Sequence, residues 1–461
     1  MKRSFGGSLA TSLTIATIAT ASLAVAEDWP TFLGPDQNAK SAEPLGLPWP
    51  EAGPPVRWSV KLHDTYAAPT VAGGGVFVHD RVGDVAKLSR LDPNDGSVVW
   101  STEAPTDYVD QFDFGEGPRA APVFDAGEEG SEGARGLDRI YTLGADGRLR
   151  GQDAASGEVL WEVMTNERFG VVQNFFGAAS TPVIYDDLLL VNVGGSPPGD
   201  WDNHAGRIEP NGTGIVAFDK FTGDIAYRTL RELASYASLT VRKLAGKDRL
   251  LAFARSGLWV LEPATGKVIG EAPWRAERIY SVNASTPVVV GDEIFVTESY
   301  ERGGALFRWK EDAANAKARL ELVWSDAERR RRQSMAAHWN TPVFHQGVLY
   351  GSHGEKSGSA ELRAVVWTTG EVRWKHRGLR RSNVLYADGH LVVLGEYGDL
   401  VVVRATPEAY REVGRYKLED RSGGDAVPML RHPAWNAPVL SNGVLYLAGA
   451  DRLVALDLPV D

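Results

Sequence analysis

One nine-residue spacing, Asp-x-x-x-Gly-x-x-x-Trp, returns along this chain and limits the available folds more than any other feature. Asp92, Gly96 and Trp100 recur as Asp153, Gly157 and Trp161, and as Asp219, Gly223 and Tyr227 with tyrosine in the last place. Val366, Gly370 and Trp374 keep the spacing without the acid, and Glu262 and Gly266 keep it without the aromatic. Upstream of these sit short apolar openings: Ala68-Pro69-Thr70-Val71, Ala121-Pro122-Val123, Thr181-Pro182-Val183, Thr286-Pro287-Val288, Thr341-Pro342-Val343 and Ala437-Pro438-Val439. Weaker openings fall at Leu239-Thr240-Val241 and Val384-Leu385-Tyr386, which makes eight, stepping by about 53 residues on average from Pro69 to Pro438.

The stretch from Thr341 to Trp374 displays one whole unit. It contains four short runs rich in Val, Tyr and Trp, divided by turns at His345-Gln346-Gly347 and Thr368-Thr369-Gly370 and by a Gly/Ser-rich break. Such runs between glycine turns read as strands of an antiparallel meander. A lone four-stranded sheet buries neither face, so each unit needs a copy on both sides. The expectation is an all-β chain, an eight-bladed β-propeller of four-stranded antiparallel blades.

The eighth unit runs from Ala437 to Asp457 and stops one strand short, while Val56-Arg57-Trp58-Ser59 near the start resembles Val372-Arg373-Trp374-Lys375. An N-terminal strand over Val56–Val60 therefore completes the last sheet and leaves no free edge inside the ring. In an up-and-down blade the first and third turns share one face, and the second turn and inter-blade connector share the other. The first and third turns are mostly tight. The long segments 102–120, 163–180, 193–212, 325–340, 351–359 and 418–436 all fall on the opposite face. Function concentrates on long loops held by a rigid scaffold, so one rim is the elaborated one.

Lys2 and Arg3 precede an apolar, Thr-rich stretch that ends in Ala24-Val25-Ala26, the pattern of a signal peptide over 1–26 cut after Ala26. The expected localisation is periplasmic or secreted. Removing that segment leaves 47 basic against 60 acidic side chains, a charge of −13. That balance speaks against nucleic acid as a partner. With no later stretch long enough to span a bilayer and no cysteine, neither a transmembrane segment nor a lipid-modified cysteine is expected in the mature chain. Residues 27–55 form an N-terminal extension whose Trp29 and Phe32 would pack across one end of the ring, and 56–461 read as a single propeller domain.

The Pro-Val openings and the Asp-x-x-x-Gly-x-x-x-Trp spacing resemble the tryptophan-docking repeats of the pyrroloquinoline-quinone-like (PQQ-like) propellers, over roughly Val56 to Asp457. The resemblance implies one of two functions. Some members are quinoprotein alcohol or sugar dehydrogenases; others resemble the propeller subunit of the bacterial outer-membrane β-barrel assembly machine, bind no cofactor and act as scaffolds. The dehydrogenases stack the quinone against a disulfide of adjacent cysteines and hold calcium with Glu, Asn and Asp. This chain has no cysteine. The reading is a non-catalytic binding or scaffold protein with no cofactor; PQQ with calcium remains the alternative, and nothing in the sequence requires it.

Residues expected to line the elaborated rim near the axis are His338, Trp339 and Asn340, the matching Trp435 and Asn436, and Asn283, Asn383 and Arg119. Trp offers a flat stacking face and Asn both a donor and an acceptor, which suits a protein partner or a small polar or carbohydrate ligand. The structural alternative is that each Asn closes a turn and each Trp packs between blades. His338, His353 and His432 lack ligand spacing, so no metal site is expected. Ser325-Asp326-Ala327-Glu328 has the form of a helix cap ahead of Arg329–Arg332. Asp200, Trp201, Asp202 and His204 share a long loop without acid–base spacing.

Overall fold

A computed structural model describes residue 1 and residues 27–199, 208–278, 281–312, 317–329, 332–420 and 424–459. The leader at 2–26 and the Asp200–His204 group lie outside the described residues. Eight four-stranded antiparallel sheets follow one another around a ring. Seven are built from consecutive strands, spanning 70–105, 123–164, 183–229, 240–273, 288–325, 343–377 and 383–416, here blades 1 to 7. Blade 8 combines three strands within 439–457 with Val56–Lys61, which pairs antiparallel along Arg452–Asp457. A two-stranded ribbon, Glu419–Asp420 with Val427–Pro428, sits outside the blades. The one α-helix among the described residues is Thr165–Phe169.

The repeated spacing is the joint between blades. In blade 2 the Trp161 ring lies on Gly223 of blade 3, whose missing Cβ would meet that ring at 2.7 Å and whose φ is +74°. Only glycine fits both demands. Trp161 Nε1 then donates to the Lys220 carbonyl at 3.1 Å, one residue past Asp219. Asp219 accepts from the Phe221 and Thr222 amides, both at 2.9 Å, and so fixes the turn that receives the ring. The same joint recurs with Trp58 on Gly96, Trp100 on Gly157, Tyr227 on Gly266 and Trp324 on Gly370. Trp58 belongs to the closing strand, so the junction of blade 8 with blade 1 is docked by the same ring-on-glycine contact. A break in register next to the docking position recurs in all eight blades. The bulge turns the outer strand so that the aromatic faces its neighbour.

Where the outer-strand aromatic is missing, something else fills the gap. Blade 4 has Gly270 in that position, and Trp309 of blade 5 inserts over it from the opposite direction. Blade 7 has Gly414, which lies against the Tyr416 hydroxyl; the Trp49 ring packs on Tyr416 at 5.4 Å from the leading segment.

That leading segment crosses the plain end of the ring. Trp29 pairs with Val71 of blade 1, the Pro30 carbonyl accepts from Phe124 N of blade 2, and Gln37 Nε2 donates to the Leu239 carbonyl beside blade 4. Lys40 then bridges to Tyr386 of blade 7, and Glu43 accepts from the Asn442 and Gly443 amides of blade 8. Trp29 is 2% exposed and Leu45 fully buried in the same apolar cluster as blades 1 and 8. The axial channel is therefore closed at that end.

Candidate functional site

The other end stays open as a funnel of about 400 Å³. Its walls come from the connector after the closing strand (Tyr66), from the connectors between blades (Arg119, Phe176, Trp339, Arg381, Trp435) and from second turns such as Glu355. Phe32, from the leading segment, contributes to the lining. Long loops thus converge from all around the ring, because the innermost strands begin on this rim and every connector delivers its last residues toward the axis.

Trp339 and Trp435 stand against each other, ring centroids 4.7 Å apart. The Arg381 guanidinium covers both, at 4.6 Å from Trp339 and 4.9 Å from Trp435. Behind it Glu396, fully buried, accepts from Arg381 Nε at 3.0 Å and from Trp435 Nε1 at 3.2 Å. Burial alone would raise that carboxyl, but the bond and charge of Arg381, with smaller contributions from the Ser357 hydroxyl and the Trp435 indole, outweigh it and hold it at about 2. The carboxylate thus stays charged and fixes both the arginine and one indole.

Tyr66 packs against Trp435 at 5.2 Å, and burial beside Asp64 pushes its phenol up to about 12. The next wall is the 106–118 loop. Buried Asp110 accepts from the Phe112 amide at 2.9 Å, the Phe114 amide at 3.2 Å and Tyr108 Oη at 3.1 Å. It also pairs with Arg119 at 2.8 Å. This clamp sets Phe112 against Phe176 at 5.1 Å and Phe114 against Trp435 at 6.3 Å.

Five of the eight residues expected at the rim line the funnel: Arg119, His338, Trp339, Asn383 and Trp435. His338 shares a hydrogen bond of 2.9 Å with Tyr300 Oη, and burial next to Arg381 lowers its imidazole to about 3, so it is neutral. The other three are buried away from the lining and tie neighbouring backbones together. Asn283 donates to the Ala254 and Trp274 carbonyls, Asn340 to Ser352 and Asn436 to Ala67. Asn383 does both, donating to the Trp435 carbonyl at 2.7 Å while facing the funnel. The 325–332 stretch is a turn rather than a helix through Arg329. Buried Asp326 accepts from Gly304 N and Ser334 N, and Arg330 and Arg331 lie outside the described residues.

A family model described as Outer membrane protein assembly factor BamB matches residues 52–206 and 124–375. The chain belongs to this PQQ-like family. The solved BamB of Moraxella catarrhalis is 15% identical and superposes with a TM-score of 0.53, covering 87% of this chain and 98% of that one. The computationally designed Ika8 protein is 10% identical, with a TM-score of 0.51 over 87% and 99%. A quinohemoprotein alcohol dehydrogenase from Comamonas testosteroni, 15% identical over 94% and 82%, superposes at only 0.47. At these identities the likeness carries the fold alone. No curated protein sequence matches.

For this BamB-family propeller the funnel's donor set does not fit a calcium-bound quinone. Among the described residues no group of three or more His, Cys, Asp or Glu is placed to hold a metal. Glu396, the acid nearest the two tryptophans, is already held by Arg381, and the chain has no cysteine for a stacking disulfide.

Proposed function

We propose that this chain is an exported, non-catalytic binding protein that engages a protein partner through the mouth of its funnel. The observation that carries this is the 106–118 loop. Phe112 and Phe114 are 45% and 43% exposed although a buried carboxylate fixes the backbone that presents them. Val109 and Tyr397 are also exposed on this rim, at 68% and 53%. Apolar side chains held rigidly in water gain free energy only when something covers them, at roughly 25 cal/mol per Å². The apolar lining supports a protein surface over a carbohydrate, whose hydroxyls would meet few partners here. Family membership supports a scaffold role, and the leader-like start supports export into the periplasm or beyond.

A photo-crosslinking residue at position 112, compared with one at Asp186 on the plain face, tests the proposal in the producing cell. A discrete protein adduct at 112 and none at 186 is expected. Absence of an adduct at 112, or alcohol-dependent dye reduction by the purified protein with PQQ and calcium, would replace it with another reading.

A further inference from the structure

The charges around the funnel point to the chemistry of its occupant, given that the funnel is a binding site at all. Two arginines line it, and each is neutralised by its own carboxylate, Arg119 by Asp110 and Arg381 by Glu396. His338 is uncharged. Asn383, Thr181 and Ser238 are neutral, and Thr181 and Ser238 already accept from neighbouring backbone amides or from each other's strand. That leaves Glu355. It lines the same funnel, it is only partly exposed, and no described group forms an ion pair or hydrogen bond with its carboxylate. Its field reaches the buried Glu298, whose carboxyl is raised chiefly by burial and further by Glu355. Among the described residues, then, Glu355 is the funnel-lining charge without an ion-pair partner, and it shares that lining with Tyr66, Phe176, Trp339 and Trp435.

We infer that the funnel takes an aromatic ring bearing an ammonium group, the ring lodged among Trp339, Trp435, Tyr66 and Phe176 and the cation directed to Glu355. Ring faces attract cations through their quadrupole, and a carboxylate at the edge adds a directional anchor. The cage volume of about 400 Å³ admits a bicyclic ring with a short chain. A polyanion is disfavoured on the same grounds, because both arginines are already paired and Glu355 repels it. The ammonium could belong to a small amine or to the free amino terminus of a peptide beginning with an aromatic residue; the chemistry is shared.

Calorimetric titration of the full mature protein with three isosteric probes separates charge from ring. These are indole-3-ethylamine, indole-3-ethanol and indole-3-acetate. The amine is expected to bind roughly tenfold tighter than the alcohol, and the acetate weakest. Glu355→Gln should bring amine and alcohol within about twofold of each other, chiefly by weakening the amine, with the thermal midpoint unchanged. Phe-Gly-Gly against its N-acetylated form distinguishes the sources: a preference for the free amino terminus assigns the site to peptides, and amine binding without peptide binding assigns it to small amines. Equal affinity for all three indoles, tightest binding of the acetate, or an amine preference that survives Glu355→Gln overturns the inference. Each of those outcomes leaves the crosslink at position 112 untouched, so the two readings fail separately.

Discussion

Replacing Glu396 with Gln gives the clearest measure of how the funnel is held. In the wild type this carboxyl sits at about 2 against an ordinary 4.5. A folded-state value below the unfolded one means stabilisation that is fully present above about pH 4.5 and drains away as the pH falls through about 2. Converted at 1.36 kcal/mol per unit, the displacement corresponds to roughly 3 kcal/mol near pH 6 and roughly 1.5 kcal/mol near pH 3. The carboxylate is fully buried, so solvent screening takes little from that figure. Glu396→Gln also removes the charge partner of the Arg381 guanidinium, whose side chain is 13% exposed and packs over two indoles. Removing one partner of a buried pair typically costs about 3–5 kcal/mol, in line with the titration figure. Urea unfolding followed by tryptophan fluorescence near pH 6 and near pH 3 should show the gap between wild type and variant shrinking by about half. A gap that is independent of pH, or below about 1 kcal/mol near pH 6, would refute the idea that this pair anchors Trp339 and Trp435.

Other expectations follow from the joints and the floor. Trp161→Phe keeps a ring on Gly223 and loses only the bond to the Lys220 carbonyl, so it should cost about 1 kcal/mol in chemical unfolding, against about 3–5 for Trp161→Ala. Gly270→Trp restores the repeat's own residue yet should destabilise by about 1–3 kcal/mol, because its Cβ would meet the Trp309 ring at 2.6 Å. Pairing it with Trp309→Ala should recover part of the loss in a double-mutant cycle. Trp29→Ala, at a site 2% exposed, should cost about 3–5 kcal/mol. Deleting 27–50 should therefore lower the melting temperature markedly even though the closing strand is retained, and equal stability with and without that segment would contradict the packing of Trp29, Leu45 and Trp49.

What the sequence could convey follows from which contacts are periodic. A docking joint uses residues at fixed offsets within one blade and its successor, so Asp219, Gly223 and Trp161 reveal it in one dimension. The closing strand was legible because Trp58 repeats the residue context of Trp374. Gly270 shows where that legibility ends: the aromatic lost from blade 4 is supplied by Trp309 of blade 5, inserted from the wrong side, and no offset announces it. The funnel is harder still. Its aromatic and charged walls are single residues from connectors of unequal length, brought together only by ring closure, so Tyr66 meets Trp435 across nearly the whole chain. The loops' lengths pointed to the rim on which the funnel opens, and residue type next to an opening strand pointed to His338, Trp339 and Trp435, which line it. The asparagines divide for a physical reason. At the start of an inner strand a side-chain amide faces either the axis or the unpaired carbonyl of an adjacent connector, and a buried carbonyl left without a donor costs about 1–3 kcal/mol. Asn283, Asn340 and Asn436 meet that need, so of the expected asparagines Asn383 alone lines the funnel, and the ligand we infer would meet the rings and Glu355.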